Sequence, residues 1–512
     1  MITQSLKKRY AAKLSTNLVG LLIGLVTAAI IPRGLGPKSY GDFNFLTNFF
    51  SQLLPSFALS TEIAFYTKLS QRQNEFGLIS FYGQFACLAI LAMFFFIGGS
   101  QLIGVSKTFW IDQNIGYVYM AAIFAVLIWV VGLMTYVVDA YGLTVSTEIA
   151  KIIQKFFGAL IIVLLFLANQ LNLVNYFFYN YIISILLIFA FLWIINRNGF
   201  SFLRNWRLSK EQIRNYSKEF YYYSHPLFFY AIMGVISGIL GRWLLQKYAG
   251  SYQQGFFGLS YQVGAICFLF TSAMTSLITR EFSIAHKNND TKEMARLFRR
   301  YIPMLYAIAA FFGCFASVQA EKLTYIFGGK QYADAAIPMM IMALYPIHQT
   351  YGQLSGSVFY ATGQTKLYRN IGLTLMFIGL PITYFALAPA KQLGFNAGAT
   401  GLAISTVFMQ FIGVNVQLFY NSKFLKLRFL NYFGHQIICV SSLISIALLS
   451  KFSIDRLLMI NGNIIVSFLI SGVLYSLLVI LLVYYFPAIF GLHRSDIKTG
   501  FNTFFSYIKN KS

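Results

Sequence analysis

A chain of 512 residues that is 58% hydrophobic and only 11% charged, with a mean hydropathy of +0.65, holds more apolar side chain than one soluble core can bury. Its net charge of +24 would point to nucleic acid in a soluble protein, so the placement of the charge decides its meaning. The charges fall mostly in short segments between long apolar runs, which marks a polytopic, all-α membrane protein with membrane lipid as a partner and no nucleic acid.

A basic leader (Lys7, Lys8, Arg9, Lys13) precedes an apolar run from Leu14 to Ile31. That run is long enough to cross a hydrocarbon core of about 30 Å as a helix. No small-x-small cleavage site closes it, so the leader is expected to remain as the first helix. The run stops at Pro32, Arg33, Gly34, Leu35, Gly36 and Pro37, a cluster expected to end the helix and set a cation at the membrane edge. With this first run at 14–32, further runs follow at 42–66, 78–104, 116–139, 149–168, 173–195, 222–246, 255–279, 301–320, 336–361, 370–388, 396–420, 434–450 and 462–486. About fourteen transmembrane helices are therefore expected.

The chain repeats itself. The frame Gly36, Gly41, Phe43 recurs as Gly250, Gly255, Phe257, with Arg33 and Lys247 three residues before each first glycine. Ala140, Gly142 and Thr144 recur as Ala361, Gly363 and Thr365 at nearly the same offset, so a duplicated membrane unit is expected. The longest interruption, Asn196 to Tyr221, divides the first twelve runs into two sets of six. The expected divisions are an N-terminal lobe at 1–196, a linker at 197–221, a C-terminal lobe at 222–421 and two extra helices with a tail at 422–512.

Within the linker Ser209 and Gln212 form a capping box ahead of a short helix. Trp206, Ile213, Tyr216 and Phe220 among Arg204, Arg207, Lys210, Arg214 and Lys218 are expected to lay that helix on the inner leaflet. If the amino terminus is cytoplasmic, most Lys and Arg fall on the inside, as the positive-inside rule requires, and both termini are cytoplasmic.

Asn17, Gly20, Gly24, Thr27 and Ala28 lie on one stripe of the first helix, which suits either tight helix packing or the wall of a cavity. An unpaired charge near the bilayer centre costs at least about 2.5–3.5 kcal/mol, so Glu62, Asp139, Arg242 and Arg280, in or at the ends of apolar runs, are candidates for function. Glu62 could equally form an ion pair with Lys68. Arg33 and Lys247 stand nearer the outer interface, where snorkelling is the simpler account. His225 and His348 read as interior or interfacial histidines. Cys87, Cys267, Cys314 and Cys439 lie inside apolar runs with no paired spacing and read as small core residues. There is no P-loop, HExxH, GxSxG or DxD pair, so neither an enzyme nor a cofactor is expected.

The segment IPRGLGPKSYGDF resembles the start of Wzx-type O-antigen and polysaccharide flippases of the multidrug/oligosaccharidyl-lipid/polysaccharide (MOP) superfamily. So do LSKEQIRNYSKEFYYYSHPLFF and IFGGKQYADAAIPMMIMAL followed by FYATGQTKL, with Phe327, Gly328, Tyr332, Ala335, Gly363 and Lys366 in order. The resemblance implies two pseudo-symmetric six-helix lobes around a central cavity. It also implies transfer of an undecaprenyl-pyrophosphate-linked oligosaccharide from the cytoplasmic to the periplasmic leaflet of the bacterial inner membrane, alongside other polysaccharide assembly proteins. Related sequences often carry an acid just before the arginine of the seventh helix, where this chain has Gly241. The expected pyrophosphate contacts are Arg242 and Arg280, with Arg33 and Lys247; Asn17 and Glu62 would line the cavity, and Glu62 and Asp139 would couple an ion. A drug/cation antiporter of the same superfamily is the second expectation, and a membrane polysaccharide polymerase the third.

Overall fold

The computed structural model describes residues 6–59, 61–73, 75–199, 207–225, 228–457, 463–492 and 494. Seventeen α-helices hold most of these residues, and no strand occurs among the described residues. Ten candidate spans among them are long and apolar enough to cross a membrane, so the chain is an all-helical, multi-pass membrane protein. By contacts it divides into two compact units, Met1–Gly255 with Leu387–Pro389 and Phe256–Ala386 with Ala390–Ser512. Trp206, Arg204, and the tail beyond Arg494 lie outside the described residues.

The first unit contains α1 (Leu6–Phe57), α2 (Glu62–Gln71), α3 (Phe76–Leu102), α4 (Ser106–Phe109), α5 (Ile115–Ala140), α6 (Thr144–Leu167), α7 (Leu173–Arg197), α8 (Lys210–Ser224) and the first part of α9 (Phe228–Lys287). The proline cluster does not end α1 as expected. The helix runs through Pro32 and Arg33 and breaks only at Gly36 (φ 72°, ψ 165°), a conformation essentially restricted to glycine. Pro37 then opens the next segment, where its missing N–H costs nothing. In α9, Gly250 (φ 75°, ψ −173°) makes the same one-residue kink before Ser251. The second echo behaves likewise: Gly142 (φ 75°) follows α5 and Gly363 (φ 70°) follows α13 (Tyr345–Ala361). Both sequence echoes therefore mark one backbone conformation used twice.

The two kinks also meet. A Cβ on Gly41 would stand 1.8 Å from the carbonyl oxygen of Ser251, and one on Gly255 would stand 2.0 Å from that of Pro37. Each repeat's second glycine is seated on the residue just after the other repeat's first glycine, and only hydrogen side chains permit that approach. Below the crossing, Phe45, Phe49 and Phe50 pack with Trp110, Phe124 and Phe177. α1 ends at Phe57, and the chain resumes as α2 after Leu59 (φ 53°) and Thr61, whose hydroxyl lies 3.1 Å from that of Tyr82.

Ser209 caps α8 in the expected box: its hydroxyl accepts from the Gln212 amide nitrogen at 3.1 Å, and the Gln212 side chain accepts from Ser209 N at 3.0 Å. The expected membrane face of α8 is corrected in part. Tyr216 and Phe220 are buried against Phe81 and Tyr82, because aromatic partners on α3 are within reach, whereas Ile213 stays exposed. The polar side of α8 is tied down as well, through Glu219 to Lys68 (2.7 Å) and Arg72 (2.7 Å).

The second unit holds the rest of α9, α10 (Thr291–Val318), α11 (Ala320–Gly328), α12 (Ala336–Met342), α13, α14 (Thr365–Leu387), α15 (Gly398–Phe424), α16 (Phe429–Leu457) and α17 (Ile464–Tyr485). Its core forms around α10, where Phe298, Tyr306 and Cys314 meet Tyr351 of α13, Cys439 and Leu443 of α16, and Tyr475 of α17. Lys322 of α11 donates to Asp455 of α16 (2.5 Å) and to Ser467 of α17 (2.8 Å), closing one end of the unit. Cys314 and Cys439 are buried thiols, as read from the sequence, but Cys87 is exposed on α3; the Cys267 side chain lies outside the described residues.

Candidate functional site

α1 and α6 pack along their length, and the stripe on α1 faces two different environments. At Gly20 a Cβ would stand 2.2 Å from Lys155 Nζ, so the glycine is a notch that admits an ammonium group rather than a helix backbone. One turn on, nothing lies within 4 Å of where a Gly24 Cβ would be. Thr27 turns its hydroxyl back to the carbonyls of Ile23 (3.3 Å) and Gly24 (3.2 Å), and Ala28 is buried. Among the described residues nothing packs closely against Gly24, so the tight-packing reading does not apply at that position. The Asn17 side chain lies outside the described residues.

Opposite the stripe stand charges that the sequence reading passed over. The helix expected from residue 149 begins earlier, at Thr144, so Glu148 joins Lys151 and Lys155 inside α6. Glu148, Lys151 and Lys155 follow at i, i+3 and i+7, which places them on one helix face. Glu148 is buried and accepts from Lys151 Nζ at 2.8 Å; Thr16 donates to the Glu148 carbonyl oxygen at 3.4 Å, which fixes this face toward α1. The missed signal was available: three charges at helical spacing at the head of an apolar run.

A second polar cluster surrounds the kink crossing. Arg242, half-buried on α9, donates from Nη1 to Gln254 Oε1 at 3.2 Å, and the Gln254 amide donates back to the Arg242 carbonyl oxygen. Nearby, buried Asp42 accepts from the Ser251 hydroxyl and from Gln113 Nε2 at 2.8 Å. Gln246 donates to Ser251 Oγ (3.1 Å) and to the Ile111 carbonyl (3.1 Å). Asp42 was likewise not singled out in the sequence, because it sits inside the glycine frame.

The remaining candidates are more dispersed. Arg33 and Lys247 are exposed, and Lys247 lies over the rings of Trp243 (5.0 Å) and Tyr248 (5.2 Å). The Arg280 side chain is 72% exposed and pairs with its neighbour Glu281 at 3.1 Å. Glu62 opens the first turn of α2, where the helix dipole favours an anion, and accepts from Trp129 Nε1 at 2.9 Å. It does not pair with Lys68, as the alternative reading had it, because Lys68 reaches Glu219 instead. Asp139 accepts from the Thr144 hydroxyl at 2.8 Å, bridging the turn from α5 to α6. His225 is exposed at the end of α8, and His348 is packed beside the rings of Tyr306 and Phe411. No group of three or more metal-ligating side chains occurs among the described residues.

No family model matches the chain. Among solved structures, the fold is similar to an inward-facing multidrug resistance MATE family transporter of the MOP superfamily, with a TM-score of 0.62 and 11% identity, covering 81% of this chain and 98% of that one. It is also similar to the lipid II flippase MurJ in an inward closed conformation, with a TM-score of 0.62 and 14% identity, covering 93% and 98%. In sequence, the capsular polysaccharide biosynthesis protein CapF of Staphylococcus aureus is 24% identical over 299 residues, which is 56% of this chain and 70% of CapF. The two structural likenesses show that the chain shares the fold of these two transporters.

Proposed function

We propose that this chain is a flippase that moves an undecaprenyl-pyrophosphate-linked oligosaccharide, an O-antigen or related polysaccharide repeat unit, from the cytoplasmic to the periplasmic leaflet of a bacterial inner membrane. The observation that carries the proposal is Arg242, a permanent cation seated by Gln254 within a membrane helix of a fold shared with a lipid II flippase. An arginine fork can bind phosphate oxygens in pairs, which suits a pyrophosphate headgroup. In this reading Arg242, Arg280, Arg33 and Lys247 handle the pyrophosphate at successive stages, and Asn17 contacts sugar. Glu62 and Asp139 are the groups through which an ion would couple. The similarity to CapF supports a polysaccharide unit as cargo.

The two lobes would expose the cargo alternately to each leaflet while the lipid tail stays in the bilayer. Outward movement of a negative headgroup from a negative interior is downhill by about 2.3 kcal/mol per charge per 100 mV, so no fuel domain is needed. A cation-coupled multidrug antiporter is the second reading, favoured by the likeness to the MATE transporter and by the acids Asp42 and Glu62. One experiment separates them. Deleting the gene should make a lipid-linked glycan accumulate on the cytoplasmic leaflet, restored by the wild-type chain and not by Arg242→Ala at equal expression. Increased drug sensitivity with no glycan accumulation would overturn the flippase.

A further inference from the structure

A cavity of about 590 Å³ lies within the first unit, between α8 and the start of α3, in the size range of sites that hold small ligands. Buried Thr61, Phe81 and Phe220 form its floor, and exposed Ser217, Tyr221 and His225 its rim. Thr61, the polar member of that floor, is already engaged: its hydroxyl donates to the Ala58 carbonyl oxygen at 2.8 Å and lies 3.1 Å from that of Tyr82. What the floor offers an occupant is the rings of Phe81 and Phe220, which suit an apolar chain. The walls are held in place from the other side of α8. Tyr216 donates to Glu75 at 2.5 Å, and Glu219 is bound by Lys68 and Arg72, so the cavity is formed before anything enters it.

Phe81 is the sixth residue of α3 (Phe76–Leu102), a helix apolar enough to span a membrane, and Arg72, Glu75 and Glu219 gather at the end from which it starts. The cavity therefore sits at the charged end of an apolar span, where the chain and the headgroup of a lipid separate. Lys210, Arg214, Ser217 and Tyr221 follow at i, i+4, i+7 and i+11, so two cations share the helix stripe that rims the cavity. Arg214 stands about 10 Å along α8 from Tyr221. Both cations are exposed, and no salt bridge engages either among the described residues, although Glu211 lies three residues before Arg214. We infer that this cavity binds one acyl chain of an anionic phospholipid whose headgroup rests on Arg214 and Lys210. The site does not depend on what the protein transports.

The test places the full-length protein in phosphatidylcholine nanodiscs that carry a minor amount of a phospholipid with a photoreactive diazirine chain, headed by either phosphatidylglycerol or phosphatidylcholine. Illumination and peptide mapping then read labelling of the segments containing Phe81 and Phe220, relative to the exposed Leu477 of α17. In the wild type the phosphatidylglycerol probe should label both segments more strongly than the phosphatidylcholine probe, by about fivefold for each cation engaged. Ser217→Trp fills the rim from an exposed position and should abolish that excess. Lys210→Gln and Arg214→Gln leave the cavity open and should each lower the excess about fivefold. Equal labelling by the two probes in the wild type, or an excess that survives Ser217→Trp, overturns the site. An excess unchanged in both glutamine variants overturns the role of the two cations and with it the anionic lipid. None of these results bears on the proposed cargo.

Discussion

The reciprocal glycine contact makes a quantitative demand. Replacing Gly41 by alanine places a methyl group 1.8 Å from the Ser251 carbonyl oxygen, whereas ordinary contact begins at 3.4 Å. The obstruction is backbone, so no side chain can rotate away and the two helix segments must part. Overpacking of this kind costs about 1–3 kcal/mol. Gly255→Ala should cost a similar amount, since its methyl would sit 2.0 Å from the Pro37 carbonyl oxygen. The two contacts belong to one crossing, so separation forced by the first substitution makes room for the second, and the double variant should cost less than the sum. Thermal unfolding of the purified protein in detergent, followed by tryptophan fluorescence, reads all three. Gly24→Ala is the control: with nothing within 4 Å it should melt no lower than the wild type, and the loss of a helix-interior glycine is worth about 0.5–1 kcal/mol in its favour. Melting of Gly41→Ala and Gly255→Ala at the wild-type temperature, or strict additivity in the double variant, would refute the reciprocal seating.

Other consequences are simpler to read. Ser209→Ala removes the cap of α8 and should cost about 1 kcal/mol, seen as faster amide hydrogen exchange over residues 210–216. Burial works against the Glu219 carboxylate, yet hydrogen bonds from Arg72 and Lys68 hold its pKa below the ordinary 4.5. Its contribution to stability is therefore present above pH 4.5 and lost as pH falls through the lower folded value. A thermal melt series should show that loss in the wild type and not in Glu219→Gln. Asp455→Asn weakens the charged contact by which Lys322 joins α11 to α16 and should cost about 1–3 kcal/mol, with proteolysis rising first near α16 and α17. Glu62→Gln keeps an acceptor for Trp129 while removing the titrating carboxyl, so melting should change by less than about 0.5 kcal/mol. Any stimulation of transport by an imposed proton gradient should disappear in that variant, and its survival would remove Glu62 as the coupling group.

Apolar periodicity and length alone determined that this chain crosses a membrane as helices, because a run of about twenty apolar residues has no other stable state in lipid. The duplicated glycine frames were legible too, since a positive-φ kink that only glycine tolerates writes itself into the sequence; Gly36 and Gly250 share it, as do Gly142 and Gly363 in their turns. The capping box at Ser209 was legible because both partners lie three residues apart. Contacts between distant segments were not. That Tyr216 finds Glu75 and Phe81 rather than lipid, that Lys68 chooses Glu219 over Glu62, and that Gly41 rests on Ser251 depend on which helices become neighbours. Lys155 is the sharpest case. Its charge and its place within an apolar run were visible in the sequence, but its notch came from a glycine 135 positions earlier on another helix. Local chemistry chooses the helix and its ends, whereas the position of a charge between two helices is settled only when they pack, since the energy of a charge in a membrane depends on what stands beside it.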